Sequence, residues 1–282
     1  MGALARRARL ALERNLLAVR FQTGAAGLMF EPVLNSTDPH VRPLREPVFN
    51  IPAVVAWLAL IMVALEGARE FVLSPDADLM LLAWFAFVPA RYLSPDLLPG
   101  GMGAQVWTFV TYAFLHGNWV HLVVNLVWLL AFASPLAWRF GASRFLAFFV
   151  VTAAAGALAH LVTNLEGIAP MIGASAVVSG AMAGSARFAF APGGPLGPRT
   201  VSSFGRAPAQ PGAVPLRQVL SDRRVLVFLG AWVVLNILSG VGGFGGADGE
   251  QIAWQAHFGG FVAGLLLFPL FDPVPRALSS RR

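Results

Sequence analysis

"GASAVVSGAMAG", residues 173–184, is built almost wholly of glycine, alanine and serine. It lies between two apolar runs, "RFLAFFVVTAAAGALAHLV" upstream and "RFAFAP" downstream. A segment flanked in this way reads as buried in a membrane, where a polar side chain is expensive and marks a function unless packing explains it. Two serines, Ser175 and Ser179, stand one helical turn apart within it. At 3.6 residues per turn they differ by about 40° and share a face that Ala183 and Ala186 continue.

The rest of the chain supports the membrane reading. Its 282 residues are 57% hydrophobic and 12% charged, with a mean hydropathy of +0.68, outside the range of soluble globular proteins. The expected class is an all-α polytopic membrane protein. Six apolar runs approach the roughly 20 residues that cross a hydrocarbon core, at about 51–73, 119–138, 144–164, 170–190, 225–241 and 251–271. Residues 1–50 are expected to form a basic cytoplasmic segment and linker, and residues 272–282 a cytoplasmic tail. Residues 74–118 form a long outer loop whose "LMLLAWFAFVP" is too short to cross and suits the interface. Residues 191–224, rich in proline, glycine and arginine, read as an exposed loop.

The net charge of +6 comes from arginine alone, clustered in termini and loops. That distribution is a positive-inside signal and excludes nucleic acid as a partner. With six crossings, Arg139, Arg144, Arg187, Arg223 and Arg224 fall on the side of both termini, which are therefore expected in the cytoplasm. The all-arginine composition and the absence of a transit-type leader point to a bacterial inner membrane. The chain has no cysteine, which removes thiolate catalysis and thiolate metal sites.

Polar residues inside the spans are few: His121 and Asn125, His160 and Asn164, Ser175 and Ser179, Asn236, and His257, with His116 just before the second span. No carboxylate occupies the middle of a span, so a paired-aspartate protease lacks its acids. No His-Glu-x-x-His occurs, so a zinc protease of that type lacks its ligands. Neither a metal nor a cofactor is expected. Hydroxyl and imidazole remain, and a serine needs a base that titrates in the histidine range. Gly180 and Gly184, with Gly260 and Gly264 on the face of His257, form small-x-x-x-small pairs that let two membrane helices approach closely. Spacing alone leaves two readings open: serine chemistry, or packing residues whose hydroxyls bond back one turn.

Four segments in order then resemble the rhomboid intramembrane serine proteases: "WTFVTYAFLHGNWVHLVVNLVWLLAF", "WRFGASRFLAFF", "GASAVVSG" and "AHFGGFVAGLL". The resemblance covers about residues 80–271 and implies a six-transmembrane-helix rhomboid-like bundle. It implies that Ser175, in Gly173-x-Ser175, is the nucleophile and that His257, in His257-x-x-Gly260, is its base, with no acid completing a triad. His121 and Asn125 match the oxyanion-binding His-x-x-x-Asn element, and His116 matches a histidine with a structural role. Two residues depart from the pattern. Many members have glycine where this chain has Ala176, and an aromatic packing on the catalytic histidine where it has Ser179.

The expected activity is therefore endoproteolysis of transmembrane-helix substrates within the lipid bilayer. A rhomboid-fold pseudoprotease that binds membrane helices without cutting them is the alternative.

Overall fold

The computed structural model describes residues 51–191, 194, 196, 212–241 and 252–274, all within the unit Ile51–Arg282. The basic amino-terminal segment, the centre of the 191–224 loop and most of the tail lie outside the described residues. The architecture is helical. Four of its helices are long and apolar enough to cross a membrane, which makes the chain an integral, multi-pass membrane protein.

The first helix, α1 (Ala53–Phe71), buries Val55, Leu58, Met62 and Glu66, a stripe at three- and four-residue spacing. Its opposite face exposes Trp57, Leu60 and Ile61, as a lipid-facing helix does. It is 19 residues long but carries Glu66, Arg69 and Glu70 in its last turns, and so falls outside the four most apolar helices. Glu66 and Arg69 are matched rather than stranded in lipid. Arg69 pairs with Glu66 at 3.2 Å and with Asp78 at 2.6 Å, and donates to the His116 carbonyl.

The long segment between α1 and the next long helix has its own structure. Helix α2 (Pro75–Phe85) starts at Ser74, whose Oγ accepts from Ala77 N–H at 3.3 Å, and helix α3 (Gly101–Thr111) follows. Both have 11 residues, too short to cross. Exposed Leu79, Met80, Trp84 and Phe85 suit the interface. Buried Arg91 ties the segment together, its guanidinium donating to the carbonyls of Pro99 (2.6 Å) and Ala83.

Two long helices, α4 (Trp119–Phe140) and α5 (Ala142–Thr163), then cross antiparallel through a turn at Gly141, φ +77°. Helix α4 turns Leu122, Asn125, Leu129, Leu136 and Phe140 inward. After the connection comes the central helix, α6 (Ser175–Ser185), almost wholly buried. A short turn, α7 (Leu216–Val219), precedes α8 (Arg223–Val241), whose Val227, Val234, Leu235 and Leu238 face outward. Helix α9 (Trp254–Phe271) packs between α5 and α6.

The fourth expected span, 170–190, differs from its sequence reading. Only residues 175–185 of it are regular α-helix, which starts just after Gly173, where the backbone adopts φ +120°. The apolar run continues unbroken through that point, so hydropathy alone gives no sign of the break.

Helices α6 and α9 meet backbone to backbone. A Cβ on Gly260 would land on the carbonyl of Ala176, one on Gly264 on that of Gly180, and one on Gly180 would lie 2.8 Å from the Gly260 oxygen. At the carboxyl-terminal ends of α4 and α9, Arg139 holds Asp272 through two bonds of 2.8 and 2.9 Å beneath the Phe188 ring. Gly264→Ala should consequently lower the melting temperature of the solubilised protein and reduce its activity, since a carbonyl cannot rotate away as a side chain can. Gly230→Ala, where an added Cβ meets nothing within 4 Å, is the control. Equal melting temperatures for the two variants would contradict this account of the contact.

Candidate active site

The site is built where a non-helical segment enters the bundle. Met171 and Phe87 exchange backbone hydrogen bonds of 2.8 and 3.1 Å, and Gly173 N–H donates to the Tyr112 carbonyl at 3.0 Å. Ala174 N–H reaches His116 Nε2 at 3.4 Å. With its backbone groups satisfied by protein, a non-helical segment can lie at membrane depth. Gly173 then reverses the chain in a conformation that side chains rarely adopt, and a Cβ there would sit 2.8 Å from His121 Nε2. Ser175 follows at once, as the first residue of α6.

His257, in the first turn of α9, lies across from it. Its Nε2 is 2.7 Å from Ser175 Oγ, hydrogen-bonding distance. The contact exists because Gly260, one turn further along α9, has no side chain to hold the two helices apart. The other ring nitrogen, Nδ1, lies 2.5 Å from Asn236 Oδ1 on α8. Ser179 behaves differently from Ser175, its Oγ donating to the Ser175 carbonyl at 2.7 Å. The two serines thus divide between the two readings that spacing left open. One meets an imidazole, and the other bonds back along its own helix.

His121 sits on α4 beside Gly173, with its Nδ1 accepting from Gly117 N–H at 3.4 Å. That bond leaves Nε2 as the protonated nitrogen, on the side of Gly173 and Ser175. Asn125 lies one turn further on the same face, buried, and its Nδ2 donates to the His121 carbonyl at 3.0 Å. An amide has two such hydrogens, so one remains for another acceptor.

The Rhomboid domain family matches residues 103–272, more than half of the chain, and the match covers His121, Asn125, Ser175, Asn236 and His257. The chain belongs to the rhomboid family. It is similar to the Rhomboid-like protease 3 of Toxoplasma gondii, 27% identical over 164 residues that make up 55% of this chain and 57% of that protein. It is also similar to the human Rhomboid-related protein 3, 37% identical over 86 residues, 30% of this chain and 21% of that one. It therefore covers about half of one relative's length and a fifth of the other's.

In this rhomboid protein the remaining polar residues sort by position. His116 is fully buried before α4, its ring 5.2 Å from that of His121. Burial pushes its imidazole down to about 3, helped by the neighbouring His121, which keeps it uncharged and able to accept from Ala174 N–H. That is a support for the residue just before Ser175. His160 and Asn164 end α5, bonded to each other at 3.3 Å and lying apart from the serine. Ala176, which stands where many rhomboids have glycine, is accommodated by a glycine elsewhere. A Cβ on Gly156 of α5 would lie 2.5 Å from the Ala176 methyl.

One contact was not foreseen from the sequence. Asn236 stood out there only as a polar residue in an apolar span, and nothing in its spacing ties it to His257, 21 residues away.

Proposed function

We propose that this rhomboid protein is an intramembrane serine endopeptidase, with Ser175 as nucleophile and His257 as base. The observation that carries the reading is the 2.7 Å contact between Ser175 Oγ and His257 Nε2 at the start of a buried helix. The imidazole takes the hydroxyl proton as Oγ attacks the carbonyl carbon of the scissile peptide. The new C–O bond places negative charge on the former carbonyl oxygen. His121 Nε2–H, the Asn125 amide and the first N–H groups of α6, which lack a carbonyl one turn earlier, are the donors for it. His257 then gives its proton to the leaving amine, and water hydrolyses the acyl-enzyme by the same route.

The substrate class follows from the setting. A nucleophile enclosed by membrane helices meets chains that are themselves in the membrane, and a regular helix hides its carbonyls in hydrogen bonds. The resemblance to rhomboid proteases implies, in keeping with this setting, transmembrane-helix substrates cut near the outer end, where helix-breaking residues expose the bond. Residues 51–271 form the catalytic unit, with residues 1–50 and 272–282 in the cytoplasm.

The test is cleavage, in liposomes, of a model transmembrane segment with a helix breaker near its outer end. Wild type should cut it and Ser175→Ala should not. Wild-type binding with no cleavage above Ser175→Ala would turn the reading to the pseudoprotease. Reporter fusions test the orientation: tags near Arg206 and at the carboxyl terminus should report cytoplasm, and one near Asp96 should not. A cytoplasmic signal at Asp96 would put the mouth of the site on the wrong side.

A further inference from the structure

Histidine can serve as a base toward Ser175 only if the nitrogen facing the hydroxyl is unprotonated. A neutral imidazole has one N–H, and the partner of the far nitrogen decides which one carries it. Rings that stack on His257 are absent among the described residues, and Ser179 turns its hydroxyl back to the Ser175 carbonyl. Among the described residues, the far nitrogen makes its polar contact with Asn236 Oδ1, at 2.5 Å.

We propose that Asn236 is a positioning residue for the reaction, its side-chain oxygen accepting the Nδ1–H of His257 and so holding Nε2 free to take the Ser175 proton. The inference rests on the serine–histidine reading above. The amide cannot flip without loss, because Asn236 Nδ2 donates to the Trp232 carbonyl at 2.9 Å and only Oδ1 is left to face the ring. An acceptor fixed in this way selects one tautomer. Trp232 sets the register one turn earlier, stacked on Phe261 at 4.3 Å and against Phe258 at 5.3 Å. These aromatic contacts clamp α8 to α9 and bring the amide level with the imidazole. The arrangement is serine, histidine and an amide in line, with the amide oriented by its own helix.

During the reaction the proton moves from Oγ to Nε2 and later to the leaving amine, while Nδ1–H stays on Asn236. The amide oxygen also faces the imidazolium with the negative end of its dipole. A neutral amide does this less strongly than a carboxylate.

The test uses the purified full chain in liposomes, with Asn236→Leu, Asn236→Asp and Ser175→Ala beside wild type. Leucine keeps the size and removes the acceptor, while aspartate keeps the acceptor and adds charge. Turnover is scored per folded molecule. Asn236→Leu should lower kcat by about 10–100-fold with little change in KM, less than the ~10⁴-fold reported when a charged third group is made neutral. Asn236→Asp should restore most of the kcat and move the acid limb of kcat/KM to higher pH, because an anion beside the ring favours its protonated form. Among the described residues, His121 is the other titratable group facing His257, and it is common to all the variants. Wild-type kcat in Asn236→Leu, or an unmoved acid limb in Asn236→Asp, beside an inactive Ser175→Ala, overturns the positioning role alone. An active Ser175→Ala overturns the serine reading, and the positioning role with it.

Discussion

Ser175→Ala and His257→Ala are each expected to abolish cleavage, with kcat falling by about 10⁴–10⁶-fold, and the double variant should be no worse than either. The 2.7 Å contact makes the two side chains one unit: without the hydroxyl there is nothing to activate, and without the imidazole the hydroxyl keeps its proton. Ser179→Ala should keep substantial activity, because its Oγ serves only the Ser175 carbonyl behind it. Steady-state cleavage by the four purified variants measures all of this. Full activity in either dyad variant, or a loss in Ser179→Ala equal to that in Ser175→Ala, would show that the nucleophile has been misassigned.

Asn125→Ala and His121→Ala should each lower kcat by up to about 10²–10³-fold with KM little changed, the range for one side-chain donor to an oxyanion. A donor that meets charge only as the carbonyl is attacked acts on the transition state and barely on substrate binding. His121 has the firmer geometry, with Nε2 beside Gly173 and its tautomer set through Gly117. Asn125 has one amide hydrogen committed to the His121 carbonyl and so depends on the other. The competing account is that Asn125 only ties α4 to a neighbouring helix, an interaction worth about 0.6 kcal/mol on average in membrane proteins. That account predicts a lower melting temperature with turnover per folded molecule unchanged. Measuring both quantities on purified Asn125→Ala separates the two.

The glycines and the polar residues made much of this site legible in the sequence. Gly260 and Gly264 on the face of His257, opposite Gly180, required a helix pair in close contact, and α6 and α9 meet at those positions. Spacing left Ser175 and Ser179 equivalent, and only the resemblance of Gly173-x-Ser175 to the rhomboid nucleophile element set them apart. Three features were not legible, each because it depends on a neighbour far away in the chain. The break before Ser175 needs Tyr112, His116 and Phe87 to satisfy its backbone, and an apolar run looks the same with or without them. The methyl of Ala176 needs the hollow at Gly156, some twenty residues earlier on another helix. Asn236 needs the aromatic clamp at Trp232 to set its register. Hydropathy also counted six spans, whereas buried charges in α1 and the short α6 set those two helices apart from the other four.

The brevity of α6 bears on biogenesis. Eleven residues rise about 16 Å, roughly half the thickness of a hydrocarbon core, and the segment before them is not helical. Neither piece is stable alone in lipid, so this segment needs the sleeve that α4, α5 and α9 provide. Under the proposed serine–histidine reading, a nascent or half-inserted chain, still passing other membrane proteins on its way to maturity, carries Ser175 as an inert hydroxyl until His257 on α9 is in place beside it.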